Sequence, residues 1–252
     1  MKTIKNKNIY LFIVYFLFTT FIIVKYNNWY ANKDYRLYKK NTTIINDGKV
    51  KKENEGKLVL VSGKLDYNNE VLHDDYLGAS VKTPRLTRTV LIYQWNEIKK
   101  TNSEGKKIYK YKKIWSNVLI DSDSFNEKNH KNPKEQIIGP KFFFAKKIKV
   151  GEFELPKKTI ENLPWNKMLK LNSDIYLVPG FKIYKGCAVN SDDPKHPKIG
   201  DTQICYYYNN WEDVTILAKQ TGNSFSKYKF NDELTANYFE NGIYSLKEII
   251  KK

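Results

Sequence analysis

Residues 9–24 read IYLFIVYFLFTTFIIV, an apolar run without a single charge. Such a run has to leave water, either for lipid or for a protein core. A bilayer core takes about 20 apolar residues. The run is a little short, but Tyr26, Trp29 and Tyr30 follow as interfacial aromatics, and Lys7 and Lys25 can snorkel to either face. A helix on a soluble core would carry a polar stripe, which is missing here. A cleaved export signal would end in a small-x-small site, yet the nearest candidate, Trp29-Tyr30-Ala31, has tryptophan in a small-residue position. The reading is therefore one uncleaved transmembrane helix over 9–26, after a cytoplasmic N-terminus at 1–8. Lysines just beyond the run do not favour this orientation, but long domains are exported largely regardless of flanking charge.

Beyond the anchor the chain divides into a polar stalk at 27–56, a β-rich domain at 57–244 and an amphipathic tail at 245–252. LVLVSGKL (58–65) is a β-branched apolar run. RTVLIYQWNE (88–97) and KKIYKYKKIWS (106–116) flank the glycine-bearing loop 101–105 and predict a hairpin. Thr87, Thr89, Leu91, Tyr93 and Trp95 share one face of its first strand. Further strands are expected within 141–155, 174–186 and 213–228, a short helix near Tyr35, another over 156–163, and a third over 231–242, where asparagine opens and glycine closes the segment. The fold class is mainly β, an antiparallel α+β domain with a few short helices behind the anchor; regular strand–helix alternation is absent.

The net charge is +17, which points to anionic partners. Of 44 basic residues only Arg36, Arg85 and Arg88 are arginines, whereas base-edge and phosphate readers favour the arginine fork. A solvated lysine surface, with anionic lipid headgroups as its partner near the stalk, is the reading; nucleic acid is not an expected partner. Cys187 and Cys205 flank the turn-rich loop 190–201 between two predicted strands. They are either a cross-strand disulfide, suited to an oxidising compartment, or two buried thiols.

No nucleophile elbow, phosphate loop, dinucleotide fingerprint or metal-ligand spacing is found. No cofactor is expected. The one set from which catalysis could be drawn is His73, Asp74, Asp75 and His130, as a membrane-tethered hydrolase or metal-dependent enzyme.

ENEGKLVLVSGKL (53–65), DDYLGASV (74–81), RLTRTVLIYQWNE (85–97), YKKIWSNVLIDSDSF (111–125) and NHKNP (129–133) stand in the order found in the transmembrane protein 43 family, also called LUMA, and the chain resembles it. IGDTQICYYY (199–208) and VTILAKQTGNSFSKY (214–228) extend the resemblance. Arg85, Arg88, Tyr93, Gln94, Trp95 and Glu97 match the family's strand motif. Trp115, Asp121, His130 and Pro133 match its next stretch, and Gly200 and Asp201 a later strand. The resemblance implies a membrane protein with its large loop in the endoplasmic reticulum or nuclear-envelope lumen, or in the periplasm of a bacterium. It implies self-association, binding of other membrane proteins, envelope organisation and no established catalytic residues. The family's three later spans have no apolar counterpart in this sequence. The function expected is a single-pass, non-enzymatic scaffold or binding protein, with the two motif arginines meeting acidic partners such as Asp121 or Asp123.

Overall fold

The computed structural model describes residues 33–172 and 178–251, together with Thr20, Ile22 and Lys25. The anchor expected at 9–26 otherwise lies outside the described residues, and among those described no helix is long and apolar enough to cross a membrane. The mainly β, antiparallel reading matches what is found.

In chain order the elements begin with α1 (Lys33–Asn41), β1 (Thr42–Ile45), β2 (Leu58–Asp66), β3 (Val71–Asp74), β4 (Ala79–Lys82), β5 (Arg85–Thr101) and β6 (Lys107–Ser116). Next come β7 (Lys141–Phe144), β8 (Lys149–Val150), β9 (Phe153–Glu154), α2 (Lys157–Glu161), β10 (Lys167–Leu169), β11 (Lys182–Tyr184), β12 (Cys187–Val189) and β13 (Thr202–Tyr208). The chain closes with β14 (Asp213–Thr221), β15 (Ser224–Ser226), β16 (Tyr228–Lys229), β17 (Thr235–Ala236), β18 (Tyr238–Asn241) and α3 (Leu246–Ile249). They form two compact units. The first gathers residues up to Lys64, Gly151–Phe153 and Asp213 onward; the second holds Leu65–Val150 and Glu154–Glu212.

In the first unit β2 is central. β1 lies parallel to it, Thr42 opposite Leu58, and β14 antiparallel, Asp213 opposite Lys64. β18 and β15 pair with successive parts of β14. Leu58–Val61 are buried on both faces of β2, which is why that stretch reads as a continuous apolar run and not an alternating one. The core joins Leu58, Leu60 and Leu217 to Tyr38 of α1, Ala236, and Leu246 and Ile249 of α3. Residues 33–54, expected as part of a polar stalk, are thus built into the unit: α1 contributes a buried tyrosine and β1 extends the sheet. The tail read as a separate amphipathic segment buries Leu246 and Ile249 in this core. Residues 231–242 form β17 and β18, not a helix. Asn231 Oδ1 accepts the N–H groups of Glu233 and Leu234, as a helix cap would, but the chain then turns back, and the Phe230 N–H donates to the Leu234 carbonyl. Gly151, at φ +60, lies so close to Gly48 that any Cβ would strike the Gly48 carbonyl, so two glycines set that approach.

The second unit is organised on β5. β13 runs antiparallel along one edge, from Leu86 opposite Tyr208 to Ile92 opposite Thr202. The other edge carries β7 opposite Arg85–Arg88, then β6 opposite Ile92–Thr101. β12 and β10 share the far edge of β13, and β11 lies outside β12. Cys187 and Cys205 are joined as a disulfide across β12 and β13, with Cα atoms 4.6 Å apart. Leu86, Val90, Ile204 and Tyr206 point into a core completed by Leu72, Leu77, Ala79, Leu171 and Ala188. The odd positions Thr89, Leu91, Tyr93 and Trp95 share a half-buried face; the even positions Leu86, Arg88, Val90, Ile92 and Gln94 are buried. The first strand expected within 174–186 falls partly on residues outside those described.

Candidate functional site

The motif residues gather along β5. Two of them are buried arginines. Arg88 lies on the core face, where one terminal nitrogen donates to both Asp74 oxygens at 3.0 and 2.8 Å. The Tyr206 hydroxyl donates to Asp74 Oδ2 at 2.7 Å, the Tyr76 N–H donates to Oδ1 at 3.2 Å, and Arg88 Nε donates to the Gly139 carbonyl. Burial first, and then the Asp74 carboxylate, push the Tyr206 phenol far above its ordinary range. This is a buried charge pair in which each carboxylate oxygen accepts a second donor, the arrangement that makes burial of a carboxylate tolerable. Arg85 faces the opposite way. It donates to the carbonyls of Glu161 and Leu163 and has the rings of Phe142 and Phe144 5.3 and 5.4 Å from its guanidinium carbon. Burial lowers its pKa. Neither arginine meets Asp121 or Asp123. Asp121 instead accepts the Asp123 N–H at a 3-10 turn, and Asp123 pairs with Lys134 at 2.7 Å on the surface.

Further along, β5 is clasped by the segment 117–133. Gln94 is fully buried; its amide donates to the Val118 carbonyl and accepts the Ile120 N–H, both at 2.9 Å. Asn132 does the same for Trp95, accepting its N–H at 2.7 Å and donating to its carbonyl at 2.9 Å. These two amides serve as extra strand residues, supplying the donors and acceptors a ladder would. Glu97 accepts the Tyr111 hydroxyl at 2.5 Å and the Asn126 N–H at 2.7 Å, which together hold its carboxyl below the usual range. His130 stacks on Tyr111 with centroids 4.0 Å apart and meets Trp95 edge-on at 4.4 Å. Trp115 lies opposite Tyr93 with ring centroids 5.3 Å apart. Gly200 and Asp201 prolong the β13 ladder: the Gly200 N–H donates to the Tyr93 carbonyl and the Tyr93 N–H to the Asp201 carbonyl, each at 2.9 Å. Gly200 takes φ +98 beside Pro133, where a Cβ would stand 3.6 Å from that ring.

The catalytic set drawn from the sequence does not assemble as one cluster. His73 and Asp74 are neighbours on a strand, so their side chains leave opposite faces. His73 turns outward to Ser80 Oγ at 2.6 Å and Asp75 at 3.1 Å, while Asp74 turns inward to Arg88. His130 has its own partners, the two rings and, 3.5 Å from its Nδ1, Glu127. Among the described residues no group of three or more His, Cys, Asp or Glu side chains could hold a metal ion. Sequence reasoning missed Asn132, although it stands inside the matched NHKNP stretch, and it missed Asp74 as the arginine's partner. The exposure pattern of β3, alternating out and in, is the signal that separates Asp74 from its neighbours.

These features define a disulfide-linked, mainly β protein in which one long strand is clasped by the segment that follows its hairpin. The family model described as Transmembrane protein 43 matches residues 92–252, and the chain belongs to that family. Transmembrane protein 43 of Rattus norvegicus, of Mus musculus and of Homo sapiens are each 26% identical to it over 224 residues, 79% of this chain and 54% of theirs. The chain thus spans about half the length of these curated relatives. No solved structure matches it. Arg85 and Arg88 lie just ahead of the stretch the family model covers.

Proposed function

We propose that this chain is a membrane-anchored scaffold or binding module, without catalytic activity of its own, that displays its β units on the exported side of a membrane and there associates with itself or with other membrane proteins. One observation carries the reading. The polar motif residues Arg88, Gln94, Glu97 and Asn132 are engaged with Asp74, Tyr111 and backbone groups, so the motif acts as internal bracing for a long strand and leaves the surface for partners. The Cys187–Cys205 disulfide suits an oxidising compartment, and the apolar run at 9–24 supplies the anchor.

The test is made on the full chain in cells. It should remain with membranes after alkaline extraction, be shielded from external protease until the exported compartment is opened, and crosslink into oligomers or with other membrane proteins. Release into the soluble fraction removes the anchor; a monomer that crosslinks to nothing removes the scaffold.

A further inference from the structure

The β5–β6 hairpin carries an interaction surface of its own. β6 is the last strand of its sheet; among the described residues nothing pairs with its outer edge. Ten consecutive residues, Lys107–Ser116, therefore present a row of backbone donors and acceptors. Between Ile98 and Ser116 the chain has seven lysines against one glutamate. Lys110 and Lys112 project from one face of β6, opposite Ile98 and Asn96, while Lys107 and Lys113 project from the other, opposite Thr101 and Trp95. None of these four lysines is in an ion pair among the described residues; Lys113 instead lies 5.0 Å over the Trp95 ring.

We propose that the outer edge of β6 takes up an extended, acidic polypeptide segment as an additional strand. Three arguments select this occupant. A second copy of the chain is opposed, because antiparallel pairing of β6 with itself sets lysine-bearing positions against each other. A flat anionic membrane would reach the lysines of one face only, whereas a strand laid along the edge meets those of both. And the unpaired backbone asks for a partner with amide groups, which a headgroup surface lacks; strand addition supplies the hydrogen bonds and the lysines supply the selection. The inference goes beyond the scaffold reading and stands whether or not the chain is anchored.

The probe is a fluorescein-labelled ten-residue peptide of alternating glutamate and valine, titrated by anisotropy against the full chain in neutral detergent. Binding is expected, weakening by at least about tenfold in about 1 M salt, where the Debye length is about 3 Å. A peptide of equal charge with prolines at alternate positions should lose binding, since it cannot pair with an edge. The double variant Lys110→Glu, Lys112→Glu should lose it as well, with an unchanged circular dichroism melt. Lys157→Glu, on an exposed helix elsewhere, keeps binding and guards against a general charge effect. The proposal is overturned if the acidic peptide does not bind, if the proline peptide binds equally, if chain association with itself through this edge replaces peptide binding, or if phosphatidylglycerol vesicles bind the hairpin and the peptide does not.

Discussion

The two units solve the same problem, holding a long buried strand, by different chemistry. In the first, β2 lies among aliphatic and aromatic neighbours, and the buried polar side chains around it are neutral: the Tyr38 hydroxyl reaches the Thr235 carbonyl at 3.1 Å and Tyr238 at 3.3 Å, Thr215 lies 2.9 Å from the Ser62 hydroxyl of β2, and Gln220 donates to the Lys51 carbonyl at 2.8 Å. In the second, β5 is fixed by a buried ion pair, two strand-mimicking amides and a disulfide beside it. Apolar packing tolerates volume-conserving change; a buried charge does not tolerate the loss of its partner. The second unit should therefore be the one that single polar substitutions break. Its fate can be followed mainly through tryptophan emission, because four of the five tryptophans, Trp95, Trp115, Trp165 and Trp211, belong to it.

The largest effect is expected for Asp74→Ala. It strands the Arg88 guanidinium in the core and should cost about 3–5 kcal/mol. The adjacent Asp75→Ala, at an exposed carboxylate, should leave the urea midpoint unmoved. Equal midpoints for the two variants, read by tryptophan fluorescence, would dissolve the contrast between the units. Reducing the disulfide, or replacing both cysteines by serine, opens a loop with a separation of 18 residues. By the chain-entropy relation that is worth about 3 kcal/mol, again in tryptophan-detected unfolding.

A pair of matched substitutions sharpens the comparison. Tyr206→Phe removes a hydrogen bond to a buried carboxylate and should cost about 1.5–3 kcal/mol, whereas Tyr38→Phe removes bonds to neutral groups and should cost about 0.5–1.5 kcal/mol. Fluorescence follows the first, and amide exchange at Leu58–Val61 the second. Burial pushes both phenols well above their ordinary range, ahead of the carboxylate near Tyr206 and the hydroxyl near Tyr38.

The smallest effect concerns acid. Glu97 is held below the usual carboxylate range by the Tyr111 hydroxyl and the Asn126 N–H, and Glu248 by the Ser245 hydroxyl and N–H. A depressed folded pKa contributes stability that is present above the unfolded value, about 4.3 for glutamate, and is lost as pH falls through the folded value. Both units should thus loosen on the acid side, the second at its hairpin clasp and the first at α3. Glu97→Gln should reduce the acid-side change in tryptophan emission, Asp123, Asp192 and Asp193 of the same unit also being held low, while leaving exchange at α3 as it was; an unchanged emission profile in that variant would assign the acid response to those other groups.

Much of this was legible in advance. The alternation and loop chemistry at 88–116 gave the hairpin, and the apolar run at 58–65 gave β2, since both signals are local. Other parts were not. Asn231 makes the same first turn whether a helix or a loop comes after it, and only pairing of Tyr238–Asn241 with β14 decides the matter. Tyr38 is one tyrosine in a lysine-rich stretch until the strands it packs on are in place. The expected acids, Asp121 and Asp123, lie downstream on the neighbouring segment; the inward-facing Asp74 is 14 residues upstream and is marked out only by the strand's pleat.

The order of segments has a consequence for how the molecule is made. Every long pairing partner of Leu58–Lys64 on its antiparallel side belongs to Asp213–Lys219. As the ribosome delivers the chain, the second unit can close from residues 65–212, only Gly151–Phe153 among them belonging to the first unit, while β2 waits, its sticky edge open, for Asp213–Lys219. A nascent chain halted near residue 212 should expose that edge to chaperones or to neighbouring chains, and emergence of Asp213–Lys219 is what ends the hazard.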